Sequence, residues 1–415
     1  MSTSSICPKC AQPLVVDGWP SWCESCGWGI VAPPQQPPTT RLGQLVRAAG
    51  VRAGAREEQR VVTAKELRPR LTWSKVAAYA IAVLVHLLAL LLAVAGVALI
   101  LKAYDNPFAD VAGLMLIVTA WLMRPRFAAL EKDAIVVAAD STQELHALLT
   151  EVAEVLDVRP PGIVVVDHRW NASVGKVGWR QRDVLTIGLP LLTALAPAER
   201  VALVAHELGH IRNGDARRNL VVATALNGLV ELYALLRPEA GETVFHWIHV
   251  AFFWPLSRPV LGLLYLEVHL LFRDSRRAEY LADAREAEVA GTPAAVSLAE
   301  IVLIGPAFDA IVARNVHRAR CGDSTVFADL GATAANVTPR ERERRRRIAR
   351  LEDSRLDETH PPTASRITVL ESRPPSAARV VLGADESGWI DEELARYRKQ
   401  ISERLIDDQR DRLFY

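Results

Sequence analysis

Ala198-Glu-Arg-Val-Ala-Leu-Val-Ala-His206-Glu207-Leu-Gly-His210 follows directly on Pro197 and decides how the rest of the chain is read. A proline suits the first turn of a helix, and the residues after it are mostly apolar, so a long helix is expected from Pro197 through His210. Residues four apart share a helical face, so His206 and His210 project both imidazoles to one side and can grip one zinc ion. Glu207 stands beside the first of them, placed to accept a proton from an attacking water. Zinc lowers the pKa of such a water toward neutrality and polarises the scissile carbonyl; Glu207 would act as general base and then protonate the leaving amine. The competing reading is a pair of satisfied surface histidines, and the helix-opening proline and apolar run speak against it.

Two imidazoles need a third protein ligand. Ser275-Arg-Arg-Ala-Glu279-Tyr-Leu-Ala-Asp283 offers two carboxylates four residues apart on one helical face. Glu279 as ligand would complete a His₂Glu set with an open position for water, and Asp283 would accept a hydrogen bond from the far nitrogen of a ligand imidazole. Charged helices also carry such pairs for solubility, so spacing alone leaves this assignment open.

His206-Glu-Leu-Gly-His210-Ile-Arg-Asn-Gly-Asp215 followed by Arg277-Ala-Glu279-Tyr-Leu-Ala-Asp283 resembles the HtpX-type membrane metallopeptidases. Their superfamily includes the CAAX prenyl endopeptidases and the mitochondrial Oma-type proteases. Asn171-Ala172, Thr359-His360-Pro361-Pro362 and Arg366-Ile367 match further signatures, so the likeness runs over roughly residues 75 to 370. The resemblance implies a predominantly helical α+β fold with a zincin-like, gluzincin peptidase domain. It implies zinc ligands His206, His210 and Glu279, general base Glu207 and supporting carboxylate Asp283. His360 and Arg366 become candidate oxyanion or substrate contacts. The strand carrying Asn171-Ala172 would lie beside the cleft, where a substrate backbone could add as an extra strand.

An addition to that pattern stands at the N-terminus. Cys7-Pro-Lys-Cys10 and Cys23-Glu-Ser-Cys26-Gly27 set four thiolates at the spacing of a tetrahedral zinc, resembling a zinc ribbon. So short a segment lacks an apolar core, and the metal would supply most of its stability. Four thiolates leave no open position, which suits a structural zinc and a module for protein contacts. A redox pair of Cys-x-x-Cys motifs is the alternative. Four of the five cysteines fall in this segment, which argues against a disulfide framework, and Cys321 is expected to be an inert thiol.

Val76 to Leu101 runs 26 residues without a formal charge. At about 1.5 Å per residue it outspans a hydrocarbon core of roughly 30 Å. Pro107 to Met123 is a shorter second candidate. Arg68, Arg70 and Lys75 precede the first and Arg124 and Arg126 follow the second, so positive residues flank the pair on one side, as in a transmembrane hairpin with both ends in the cytoplasm. No secretory signal precedes it. Residues 219–236 and 244–272 are apolar but carry Glu231, Glu267 and scattered histidines, with Pro255 and Pro259 as breaks; they are expected to associate with the membrane, either as spans lining a polar cavity or as amphipathic helices at its surface.

The expected organisation is a zinc ribbon (1–30), a Pro-rich linker and basic juxtamembrane segment (31–75), a hairpin (76–124), a peptidase domain (125–372) and a helical tail (373–415). Ser141 to Leu156, with Leu145, Leu148, Leu149, Val152 and Leu156 on one side, reads as a helix, and 162–167 and 183–187 read as strands. Between Arg318 and Thr359 lies a polar insert whose run Arg340-Glu-Arg-Glu-Arg-Arg-Arg-Arg347 is expected to be a solvated helix face, with an anionic-lipid contact as the alternative. Net charge is +1, with no basic excess to suggest nucleic acid. Expected partners are a protein or peptide substrate, membrane lipid and a protein bound through the ribbon, at the cytosolic face of a bacterial-type membrane. Two other functions remain: a non-enzymatic membrane scaffold, which would have no use for Glu207, and a prenyl-protein endopeptidase, which would require lipidated C-termini. Oligomeric state is open.

Overall fold

The computed structural model describes residues 5–15, 19–31, 41–64, 66–69, 72–102, 105–237, 244–319, 326–351 and 361–414. His360 and Cys321 lie outside them, as do the side chains of His246 and His249. The described chain is mostly helical with a small sheet, as expected.

The cysteine module is a two-stranded antiparallel ribbon, β1 (Ser5–Ile6) and β2 (Pro13–Leu14). Helix α1 (Arg41–Thr63) leads to α2 (Trp73–Lys102) and α3 (Pro107–Leu122). Thr72 caps α2, its hydroxyl accepting from the Lys75 N–H at 3.2 Å. By length and composition α2 alone among the described helices suffices to cross a membrane; α3, with 16 residues, is shorter than a full span. Both turn their large side chains outward: Leu84, Leu90 and Leu91 on α2, and Phe108, Leu114 and Trp121 on α3, are exposed. The core helix of a soluble protein would hide such residues. The two helices touch at Gly96 and Gly113, where a Cβ on either would stand under 3.0 Å from the other's carbonyl oxygen.

The sheet follows. β3 (Ile135–Val136), β4 (Ile163–Asp167), β5 (Ala172–Val177) and β6 (Arg182–Gly188) are ordered β3-β4-β6-β5. β4 and β6 run parallel, and the other pairings are antiparallel. β5 is therefore an edge, and it packs on the helix that carries His206. Helix α4 (Gln143–Val155) lays the expected leucine face on the core, and α5 (Leu189–Ala194) leads into α6 (Pro197–Asn213).

α6 begins at Pro197, with the Glu199 carboxylate accepting from the Ala196 N–H at 2.8 Å, and ends at Gly214 in the left-handed region. α7 (Asp215–Leu236) and α8 (Val244–Ala290) pack on it. α8 is a single helix of 47 residues, so Pro255 and Pro259 do not break it as expected. They lie four apart on an exposed face, so both missing N–H donors fall on one side and the helix tolerates them.

Five of the remaining helices are α9 (Thr292–Val302), α10 (Gly305–Ala319), α11 (Val326–Ala335), α12 (Pro339–Leu351) and α13 (Thr363–Glu371). The expected polar insert is thus partly core: Val326, Phe327 and Leu330 of α11 are buried. Its arginine run is not a solvated face either. Glu341 is buried against Arg344 and Arg345, while Arg342 and Arg346 reach Glu300. Arg340 and Arg347 lie 5.1 and 4.8 Å from the Trp22 ring and bind Glu24, so the run seats the cysteine module.

The final helix, α14 (Ala384–Phe414), adds Ile390, Leu394, Ile401 and Leu405 to the main core. Buried Arg200 on α6 holds it, with two bonds to Asp391 at 3.0 and 2.9 Å and one to the Ser387 carbonyl at 2.9 Å. Arg200→Ala removes all three while Asp391 stays partly solvated, which costs roughly 2 kcal/mol. The melting temperature in detergent, followed by circular dichroism, is expected to fall by several degrees.

Candidate active site

Gly209, inside the His-Glu-Leu-Gly-His string, sits where α6 crosses α8. A Cβ there would lie 3.3 Å from the Ala282 Cα and 3.3 Å from the Arg285 Cβ. The glycine therefore lets the two helices approach closely. That crossing sets Glu279, Asp283 and Glu286, which share one face of α8, against His206 and His210. All three carboxylates are buried, as are His206 and Glu207.

The Nε2 atoms of both histidines turn toward Glu279, His206 at 3.5 Å from one carboxylate oxygen and His210 at 3.6 Å from the other. A tetrahedral ion with bonds of roughly 2.0–2.1 Å places its ligand atoms about 3.3 Å apart, so this trio could hold one zinc. Both Nδ1 atoms are taken: His210 meets Asp215 at 3.1 Å, and His206 meets Glu286 at 3.1 Å with Asp283 at 3.2 Å. Those carboxylates keep the protons on Nδ1 and leave Nε2 as the metal-facing atom. Glu207 has no hydrogen-bond or ion-pair partner among the described residues.

Arg366, from α13, donates two bonds from Nε to Asp283, at 3.1 and 3.0 Å, and its Nη2 stands 3.3 Å from the His206 Nδ1. It braces the acidic face through Asp283. Burial raises the Glu286 carboxyl to about 7, against the pull of His206. Asp283 goes the other way: burial opposes its charge, but Arg366 and His206 hold it below the ordinary carboxylate range. For His206, burial and Arg366 disfavour the proton, yet Asp283, Glu279 and Glu286 together raise it well above its usual value. Such a cluster is short of positive charge, and a divalent cation would meet that need.

The structure thus brings together His206, Glu207, His210, Glu279, Asp283 and Arg366. Glu286 and Asp215 were not anticipated. Glu286 continues the Glu279 and Asp283 face at helical spacing, a signal that could have pointed to it, whereas Asp215, which follows the glycine that ends α6, carries no spacing signal of its own.

A second group lies in the N-terminal module, where Cys7, Cys10, Cys23 and Cys26 could hold a metal. The Cys7–Cys26 and Cys10–Cys23 sulfurs are 3.7 and 3.5 Å apart. That is too long for a disulfide and near the roughly 3.8 Å edge of a thiolate tetrahedron with bonds of about 2.3 Å.

Residues 139–374 match the family model described as Peptidase family M48. The chain belongs to that family. Protease HtpX of Pseudomonas aeruginosa (strain LESB58) is 30% identical over 139 residues, 31% of this chain and 46% of that protein. Protease HtpX of Stutzerimonas stutzeri (strain A1501) is 30% identical over 138 residues, again 31% and 46%. That of Pseudomonas putida (strain GB-1) is 29% identical over 138 residues, 31% and 45%. The chain therefore spans just under half the length of the curated relatives it matches. No solved structure matches it. The expected kinship with HtpX-type peptidases holds, and the matched region includes every residue of the α6–α8 cluster.

Asp215→Asn leaves the Nδ1 proton of His210 without its anionic acceptor. Zinc retention, measured by competition with a chromophoric chelator, is expected to weaken roughly 10- to 100-fold with the fold intact.

Proposed function

We propose that the chain is an integral membrane zinc metalloendopeptidase that hydrolyses peptide bonds of membrane or misfolded proteins at the cytosolic face. The observation that carries this is the trio of His206, His210 and Glu279, the first and last buried, with both Nε2 atoms turned to one carboxylate and both Nδ1 atoms anchored. These three would hold the ion, whose chemistry is to make water nucleophilic near neutral pH and to polarise the scissile carbonyl. Glu207 takes the proton from that water and later gives it to the leaving amine. A carboxylate free of described partners suits this shuttling and would be idle in a scaffold.

Asp283, Glu286 and Asp215 orient the imidazoles, and Arg366 steadies Asp283. His360 remains a proposed substrate or oxyanion contact on the resemblance alone. Substrate backbone pairs along the free edge of β5, with main-chain bonds giving affinity and little sequence selectivity. The exposed apolar faces of α2 and α3 support a membrane hairpin, and Arg68, Arg70 and Lys75 before it with Arg124 and Arg126 after it favour both ends in the cytoplasm. The cysteine module holds a second, structural zinc and offers a surface for a protein partner. The division remains ribbon (1–30), linker (31–75), hairpin (76–124), peptidase domain (125–372) and C-terminal helix (373–415).

Glu207→Gln tests the mechanism. Cleavage of casein by the detergent-purified chain is expected to fall by roughly 10²–10⁴-fold while the zinc content is kept. Unchanged cleavage by that variant would remove Glu207 from the reaction.

A further inference from the structure

At the foot of α2 a cavity of about 350 Å³ opens between α1 and α8. Arg52, Arg56 and Arg60, spaced four apart, share the α1 wall; Arg273 and Arg276 with His269 make the α8 wall. Five arginines thus line one hollow, Arg52 also donating from Nε to the Ala48 carbonyl at 3.1 Å. The carboxylate in the lining, Glu57, is already engaged, 3.0 Å from Arg277 and 3.5 Å from Arg60. Arg56 and Arg273 make no ion pair with any described residue. The hollow is built into the fold: buried Arg276 donates to the Gly50 carbonyl at 3.3 Å and so ties the two walls together.

A concave wall of like charges repels itself unless an anion fills it. Guanidinium forks match phosphate oxygens in pairs, which selects phosphate over a simple halide. Where the hollow sits decides the source of that phosphate. Arg273 also lies 5.3 Å from the ring of Trp73, the first residue of α2, which is 66% exposed. An exposed tryptophan at the start of a long apolar helix marks the membrane–water boundary. One arginine therefore belongs both to the cavity and to that boundary.

We propose that this cavity binds the phosphate of an anionic phospholipid headgroup where α2 enters the bilayer. The lipid source rests on the membrane-anchored reading above; the phosphate chemistry rests on the cavity alone. Acyl chains of a lipid so held run along the apolar face of α2. A soluble phosphate would fit the same guanidinium groups but would have no reason to sit beside Trp73.

The full chain, zinc-loaded, is reconstituted in vesicles of phosphatidylcholine alone and of equimolar phosphatidylcholine and phosphatidylglycerol. Resistance to alkaline extraction from the pure phosphatidylcholine vesicles tests anchoring without reference to the cavity. Native mass spectrometry after gentle extraction then counts the phosphatidylglycerol retained. The wild type and an Arg180→Glu control, changed on an exposed turn far along the sheet, are expected to keep it. Arg52→Glu combined with Arg56→Glu, both at exposed positions, and separately Arg273→Gln, are expected to retain about tenfold less or lower. Their zinc content and insertion should match the wild type. Undiminished phosphatidylglycerol in both variants would overturn the proposal. So would saturable binding of inorganic phosphate in detergent, lost in the same variants, with no phosphatidylglycerol retained by the wild type. Failure to insert even into phosphatidylcholine would instead overturn the membrane reading and the lipid assignment with it.

Discussion

The close crossing of α6 and α8 at Gly209 is the constraint on which the site depends. Only there does the α8 face that bears Glu279, Asp283 and Glu286 come within reach of two imidazoles one turn apart on α6. The crossing also creates the electrostatic problem that defines the site. Three carboxylates are buried side by side, and burial of unpaired charge is among the costliest things a fold can do. Arg366 answers for Asp283, His206 is shared among all three, and Glu286 is pushed toward holding its proton. Arg366 also stands 4.0 Å from Glu279, whose two oxygens face the two Nε2 atoms where one cation would meet all three side chains.

The rest of the fold can be understood as support for that crossing. On one side α6 is locked into the core by its leucine and valine face, and its first turn is tied to α14 through Arg200. On the other, α8 runs unbroken past two prolines from an apolar, exposed stretch to the acidic face. One helix thus joins the part with membrane character to the part with chemistry, and the arginine-lined hollow lies along it, Arg276 being one turn before Glu279. The cysteine module is attached from yet another direction, through Trp22 clasped by Arg340 and Arg347.

What could be read from the sequence was what local pattern determines. A proline, an apolar run and two histidines four apart specify α6 and the face that gathers both imidazoles; leucines at helical spacing specify α4; 26 uncharged residues specify α2. What could not be read depends on partners distant in the chain. Glu286 keeps helical spacing with Glu279 and Asp283, yet its partner shows only when α6 is seen against it, and Asp215 gains meaning only because Gly214 turns the chain back toward His210. Ala172 to Val177 has a glycine and a lysine among its few apolar residues, so its strand character comes from pairing with β6 rather than from alternation. The arginines of α12 look solvent-bound in one dimension because their counter-charges, Glu24 and Glu300, are far away in sequence. Pro255 and Pro259 looked like helix ends because proline's cost depends on which face it occupies, which the sequence alone does not disclose.

The most direct test of two separate metal sites is the zinc content per chain of the detergent-purified protein. It is to be measured by plasma emission beside a variant lacking Cys7 and Cys10 and another lacking His206 and His210. Two ions in the wild type, falling to one in each variant, is the result predicted by a thiolate site in the N-terminal module and a His₂Glu site at the α6–α8 crossing. A single ion that persists when both histidines are replaced would contradict the metallopeptidase account.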